Sequence, residues 1–196
     1  MVVDVRKYGS TSPELLTDAV FDIAGSRGLE AASIREVAQA AGVSIGAVQH
    51  HFTTKDELYT FAFAQLVDRV RGRLAGVDPN APLEDRLSCA LRQLLPLDDE
   101  REREARVMLA FAARAATNDS LAEIQRRTLA EIRAELGAQL AAGGIDFPEV
   151  HATILLALVD GLTLDALSAR GQYSRADLVR ALTTQVRMVL AEQRGE

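Results

Sequence analysis

Residues Ile34–Thr53, IREVAQAAGVSIGAVQHHFT, constrain the fold more tightly than any other stretch of this 196-residue chain. They read as two short helices joined by a tight turn. Ala38 falls where two crossing helices approach closely and only a small side chain fits. Gly42 falls where the first helix must stop and the chain reverse, a place of positive φ that glycine takes at little cost. Val43 and Val48 supply the apolar contacts that set the angle between the helices. Ser44 is placed to cap the second helix by accepting a bond from an orphan N–H. Small residue, turn glycine, capping serine and aliphatic, in that order, describe a helix-turn-helix. An αα-corner in an all-helical core uses similar turn residues; the flanking sequence favours the first reading.

Ser33 and Glu36 pair as a capping box at the head of the first of these helices. Upstream, Ser12-Pro13-Glu14 opens an amphipathic helix with Leu15, Leu16, Ala19, Val20, Ile23 and Ala24 on its buried side. Downstream, Phe52 closes a small core, and Thr54-Lys55-Asp56-Glu57 supplies a second capping box before a long fourth helix. The block Gly42–Leu58, GVSIGAVQHHFTTKDEL, strongly resembles the DNA-binding domain of TetR-family transcriptional regulators. The turn glycine, Gly46, the His51-Phe52 pair and Lys55 carry that resemblance. It is specific over about Leu15–Leu58; beyond that it rests on helical architecture and length.

Leu, Ala, Arg and Glu dominate the composition and aromatics are only 5%, so helix is favoured over sheet. All five prolines, at 13, 79, 82, 96 and 148, fall at expected element edges. The pattern predicts about nine helices in an all-α fold. Helix four covers about Lys55–Arg73, helix five about Leu83–Leu95, and helix six runs to about Thr117. Helix seven ends near Ala142, helix eight covers about Pro148–Ala169, and helix nine about Ser174–Gln193. Two domains are expected: a helix-turn-helix domain over residues 1–54 and a helical effector-binding and dimerisation domain over 55–196. The alternating run Glu100–Glu104 reads as a solvated helix start. Cys89, the one cysteine, is expected as a small core residue. The N-terminus has no apolar stretch that reads as a secretion signal, and the run Ile154–Val159 is far short of a membrane span, so a cytoplasmic protein is expected.

The net charge is −6, and within residues 1–55 five cations, Arg6, Lys7, Arg27, Arg35 and Lys55, face six carboxylates. DNA binding needs local positive potential rather than a basic total. One copy should therefore bind weakly, and dimerisation together with backbone amides at helix N-termini must add affinity.

The apolar coverage of helices eight and nine exceeds what one small core can hide, which calls for a second copy of the chain. Ile154, Leu158, Leu162, Leu178, Leu182, Val186 and Val189 are the candidate dimer residues. The resemblance implies the same, a four-helix bundle made from the last two helices. A two-fold dimer presents two recognition helices to adjacent major-groove segments, so the expected DNA partner is an inverted-repeat operator.

The recognition helix is Ser44–His51. Ile45 and Ala47 have no donors and touch thymine methyls or sugars; His50 and His51 donate to phosphate or base. Gly46 either lets the backbone approach DNA or clears a neighbouring helix. Lys55 reaches a phosphate from helix four, and Ser33 and Arg35 approach the backbone from helix two. Gln49 departs from the family, in which Tyr is common; it either pairs with adenine or takes over a phosphate contact. Arg6-Lys7 form either an arm entering a groove or an ordinary solvated terminus.

The resemblance also implies an effector cavity enclosed by helices four to eight. Candidate lining residues are Phe63, Leu66, Leu91, Leu94, Met108, Phe111 and Leu155, with Arg114 and Asp160 as polar contacts. Asp160 interrupts an apolar helix and is either such a contact or the partner of an arginine at the dimer seam. No Gly-rich phosphate loop or nucleophile–base pair points to an enzyme, no metal or cofactor is implied, and adjacent histidines diverge on a helix. The alternative function is a helical ligand-binding or scaffolding dimer that has lost specific DNA binding.

Overall fold

The computed structural model describes residues 12–191; the Arg6-Lys7 segment and Gln193 lie outside it. Among the described residues there are nine α-helices and no strands. They are α1 (Pro13–Arg27), α2 (Ile34–Ala41), α3 (Ile45–His51), α4 (Lys55–Leu74), α5 (Leu83–Arg92), α6 (Asp99–Ala115), α7 (Asp119–Ala142), α8 (Pro148–Ser168) and α9 (Arg175–Ala191). A 3-10 turn at Leu29–Ala31, which the sequence pattern did not suggest, links α1 to α2. Helix α5 stops three residues earlier than expected, at Arg92, and a turn carries the chain to Pro96.

Local chemistry explains the ends. The side chains of Ser12, Ser33, Ser44, Thr54, Asp98 and Asn118 each accept from a backbone N–H in the first turn of the helix that follows. Thr54 and Glu57 complete a reciprocal capping box. At Ser33 only half of the box forms, because the Glu36 carboxylate turns away to Arg27 at 2.8 Å. Gly42 ends α2 in the left-handed region, at φ 68°, as the turn requires.

Two apolar cores organise the chain. The first joins α1–α4 to the inward faces of α6 and the start of α7, with Phe63 of α4 stacked on Phe111 of α6 at 3.9 Å between centroids. The second is built from α5, α7, α8 and α9. Leu15 departs from expectation: it is exposed, and Phe21 turns inward with Leu16. Cys89 is also corrected, lying exposed on α5 where Leu87 and Leu91 take the core positions. One residue's difference in helical register moves a side chain about 100°, enough to exchange core for solvent.

The run Glu100–Glu104 is more than a solvated start. Arg103 reaches Asp22 of α1 at 2.5 Å, and Glu104, buried, is gripped by Arg73 of α4. Helix α6 is thereby tied to two helices of the first core by consecutive side chains that diverge around its axis. Helix α8 is long and apolar enough, with mean hydropathy 1.6, to meet the length and composition of a membrane span, yet only 28% of that stretch is buried by its own chain.

Candidate nucleic-acid interface and effector cleft

Helix α3 turns one side inward and the other out. Val48 is fully buried beneath it, while Ser44, Ile45, Gly46, Gln49 and His50 are exposed and Ala47 and His51 half-buried. The Ser44 Oγ accepts from the Ala47 N–H at 3.1 Å, which leaves its O–H as a donor. A Cβ on Gly46 would meet only the Ser44 Oγ, at 3.9 Å. Clearance within this chain therefore does not require glycine there. His50 and His51 meet edge to face at 5.4 Å, and no group of three metal-ligating side chains occurs among the described residues.

Ser33 is half-buried at the head of α2, and Arg35 beside it is exposed with no ion-pair partner among the described residues. Lys55, at the start of α4, is held by contacts within the chain. Its ammonium donates to the Glu30 carbonyl at 2.8 Å and the Glu30 carboxylate at 3.3 Å, and lies over the Tyr59 ring. Burial pushes the Lys55 pKa down, but contacts with Tyr59 and Glu30 outweigh it and hold the group above its ordinary value. The Tyr59 hydroxyl donates to the Leu29 carbonyl, and burial raises its pKa. Arg114 of α6 also pairs with Glu30, at 3.3 Å. Glu30 thus gathers α4 and α6 onto the turn between α1 and α2. Sequence reasoning missed it because its two cations come from 25 and 84 residues away.

The candidate effector residues do not converge. Phe63, Leu66 and Phe111 are locked in the first core, with Met108 packed against it, and Leu155 is sealed in the second. Arg114 serves Glu30, and Asp160 is exposed on α8. Only Leu91 and Leu94 reach a cleft, of about 330 Å³, between the end of α4, α5, α7 and α8. Leu74, Ile132, Leu136 and Leu156 also wall it, and Arg86, Glu135 and Gln139 are its main polar lining; no aromatic ring reaches it.

The dimer candidates divide as well. Leu178, Leu182, Val186 and Val189 are buried in this chain's own second core. Leu158 and Leu162 are half-buried, and Ile154 is exposed. With Val150, Ala157, Gly161 and Leu164, Ile154 forms an exposed stripe along α8. A Cβ on Gly161 would meet nothing within 4 Å in this chain.

An exposed recognition helix on a capped two-helix turn, carried by a larger helical body with an apolar cleft, defines a DNA-binding transcriptional regulator of the helix-turn-helix class. Residues 16–60 match the pattern of bacterial regulatory proteins of the tetR family, and residues 82–191 match the C-terminal region of BetI-type transcriptional repressors. The chain belongs to the TetR family. It is similar to the HTH-type transcriptional regulator PksA of Bacillus subtilis (strain 168), 29% identical over 92% of this chain and 91% of that one. A transcriptional regulator from Rhodococcus sp. Rha1 is 53% identical, with a TM-score of 0.89 over 93% of this chain and 97% of that one. The fold is also that of a transcriptional regulator from Saccharomonospora viridis solved in complex with choline, at 19% identity and a TM-score of 0.81 over 89% and 95% of the two chains.

Proposed function

We propose that this protein is a cytoplasmic repressor without catalytic activity that binds an inverted-repeat operator as a homodimer and is released by a small apolar effector. The observation that carries the reading is the exposure of Ile45, Gly46, Gln49 and His50 on a helix whose opposite side is anchored by fully buried Val48. Ile45 offers apolar contact to thymine methyls, and Gln49 and His50 offer hydrogen bonds to base edges or phosphates. Arg35, exposed and without an ion pair among the described residues, is the cation beside them. The division at residues 54 and 55 is kept as a functional one, although the first core runs on into α4, α6 and α7. That continuity gives an effector in the second part a mechanical path to α1 and the 29–31 turn.

The α8 stripe supports the dimer. A mid-helix glycine costs about 1 kcal/mol against alanine. Nothing in the chain crowds Gly161 to require it, so close approach of a second copy's helix accounts for it. Val150, Ile154 and Leu164 flank it with apolar surface. This stripe replaces the α9 residues as the interface.

The cleft against α5 favours an uncharged, largely apolar effector. Choline belongs to the Saccharomonospora structure; a quaternary ammonium is best held by aromatic faces, and none lines this cleft.

Affinity selection of random duplex DNA by the ligand-free protein tests the reading. Enrichment of a two-fold symmetric site with salt-dependent affinity is the expected result. Absence of any enriched site at low salt would reject it in favour of a helical scaffold that has lost DNA binding.

A further inference from the structure

Helix α5 has a second open face. Arg86, Ala90 and Leu94 turn toward the effector cleft, whereas Asp85, Ser88, Cys89 and Arg92 line a separate cleft of about 430 Å³ between α5 and α9. Three guanidinium groups stand on it, and two are already matched: Arg187 to Glu84 at 2.7 Å and Arg101 to Asp98 at 2.8 Å. Among the described residues Arg92 has no carboxylate partner. Its Nη2 donates to Thr183 Oγ1 at 3.1 Å, and its buried Nε has no acceptor. Ser88, one turn earlier, is only 7% exposed, and its buried hydroxyl also lacks a hydrogen-bond partner. Unsatisfied buried donors are costly, so a buried hydroxyl without a partner one turn from an arginine that has neither a carboxylate nor an acceptor for its Nε calls for an acceptor.

We propose that the α5–α9 cleft binds a small oxyanion, a carboxylate or phosphate group, held by Arg92 with Ser88 and Thr183. A guanidinium fork matches two oxygens of such a group, and hydroxyls complete its shell. Asp85, a carboxylate on the same cleft with no cation on it, limits the ligand to low charge. A bound anion joins α5 to α9 on the side of α5 away from the effector cleft, and so stiffens one wall of that cleft. The site does not depend on the DNA-binding reading.

Cys89 is the chain's one cysteine, is exposed, and lines this cleft, so its alkylation reports occupancy. The full-length protein is treated with iodoacetamide or iodoacetate, alone or with inorganic phosphate, acetate, or chloride at matched ionic strength. Phosphate or acetate is expected to slow iodoacetamide while chloride does not, and whichever protects identifies the preferred oxyanion. The iodoacetate-to-iodoacetamide rate ratio is expected to fall about threefold in Arg92→Gln, the size of effect a single charge exerts through water-like screening. Ser88→Ala, which keeps the guanidinium, should weaken the protection. Equal rates in phosphate, acetate and chloride would overturn the proposal with no variant involved, and so would an unchanged reagent ratio in folded Arg92→Gln.

Discussion

Arg73 of α4 holds Glu104 of α6 with both arms of its guanidinium, Nη2 to Oε2 at 2.6 Å and Nη1 to Oε1 at 3.0 Å. The Glu104 side chain is 6% exposed, and its hydrogen bond is the main cause holding the Arg73 pKa above the ordinary value. The pair lies beside the Arg103–Asp22 bridge, so α6 is fixed to α4 and α1 together.

Truncating one partner of such a pair strands a buried charge. Arg73→Ala is expected to lower stability by about 2 kcal/mol, the modest side of the range because Arg73 itself is partly exposed. The double variant Arg73→Met, Glu104→Leu should recover most of that loss. Urea denaturation of the wild type and the two variants checks both statements, and a double variant no more stable than Arg73→Ala would overturn the second.

Lys55 is committed to Glu30 rather than to solvent. Lys55→Ala should therefore lower thermal stability and shift DNA affinity by the same factor at every salt concentration. A Lys55 that leaves Glu30 to neutralise a phosphate would instead reduce the slope of log affinity against log salt by about one. Titrations of operator at four salt concentrations distinguish the two.

Gln49 is exposed at the centre of α3. Gln49→Ala is expected to weaken operator binding by about 1–3 kcal/mol and to relax sequence preference at one base pair per half-site. Uniform weakening across single-base operator variants would assign the side chain to a phosphate instead.

Gly161 sits open on the uncovered stripe of α8. Gly161→Leu should leave helix content unchanged, since nothing in this chain obstructs the new side chain, while raising the dimer dissociation constant at least about tenfold through steric exclusion of the partner helix. Sedimentation over a concentration series reads this directly. Undiminished dimerisation would move the interface off α8.

Asp160 is exposed at the surface of α8, but partial desolvation of its carboxyl pushes the pKa up, and no cation pairs with it among the described residues. The folded chain therefore binds this proton more tightly than the unfolded chain. The group is harmless below the unfolded value of about 4 and becomes destabilising as pH rises through the raised folded value. Asp160→Asn is expected to raise the melting temperature at pH 7 and leave it unchanged below about pH 4. A lower melting temperature at pH 7 would place an arginine of a second copy against the carboxylate.

The capped turn was legible because its determinants are local. Gly42, Ser33, Ser44, Thr54 and the prolines at helix edges act within about one turn of their own positions, through backbone dihedrals and orphan N–H groups. Register and apolar period placed Val48 inward and Gln49 outward for the same reason. Periodicity alone, however, could not say which core an apolar side chain joins. Phe63, Leu91 and Leu155 all read as cavity candidates, yet they divide between two cores and one cleft.

The sequence by itself determined the helices, their caps, and the exposed face of the recognition helix, since these depend on short-range sterics and hydrogen bonding. Only the tertiary structure decided that Lys55 and Arg114 meet at Glu30, that Arg73 reaches Glu104, and that Leu178, Leu182, Val186 and Val189 of α9 enter the second core while Val150, Ile154 and Leu164 of α8 stay exposed. Those outcomes join residues from 25 to more than 80 positions apart, and they follow from how whole helices cross, which no local pattern encodes.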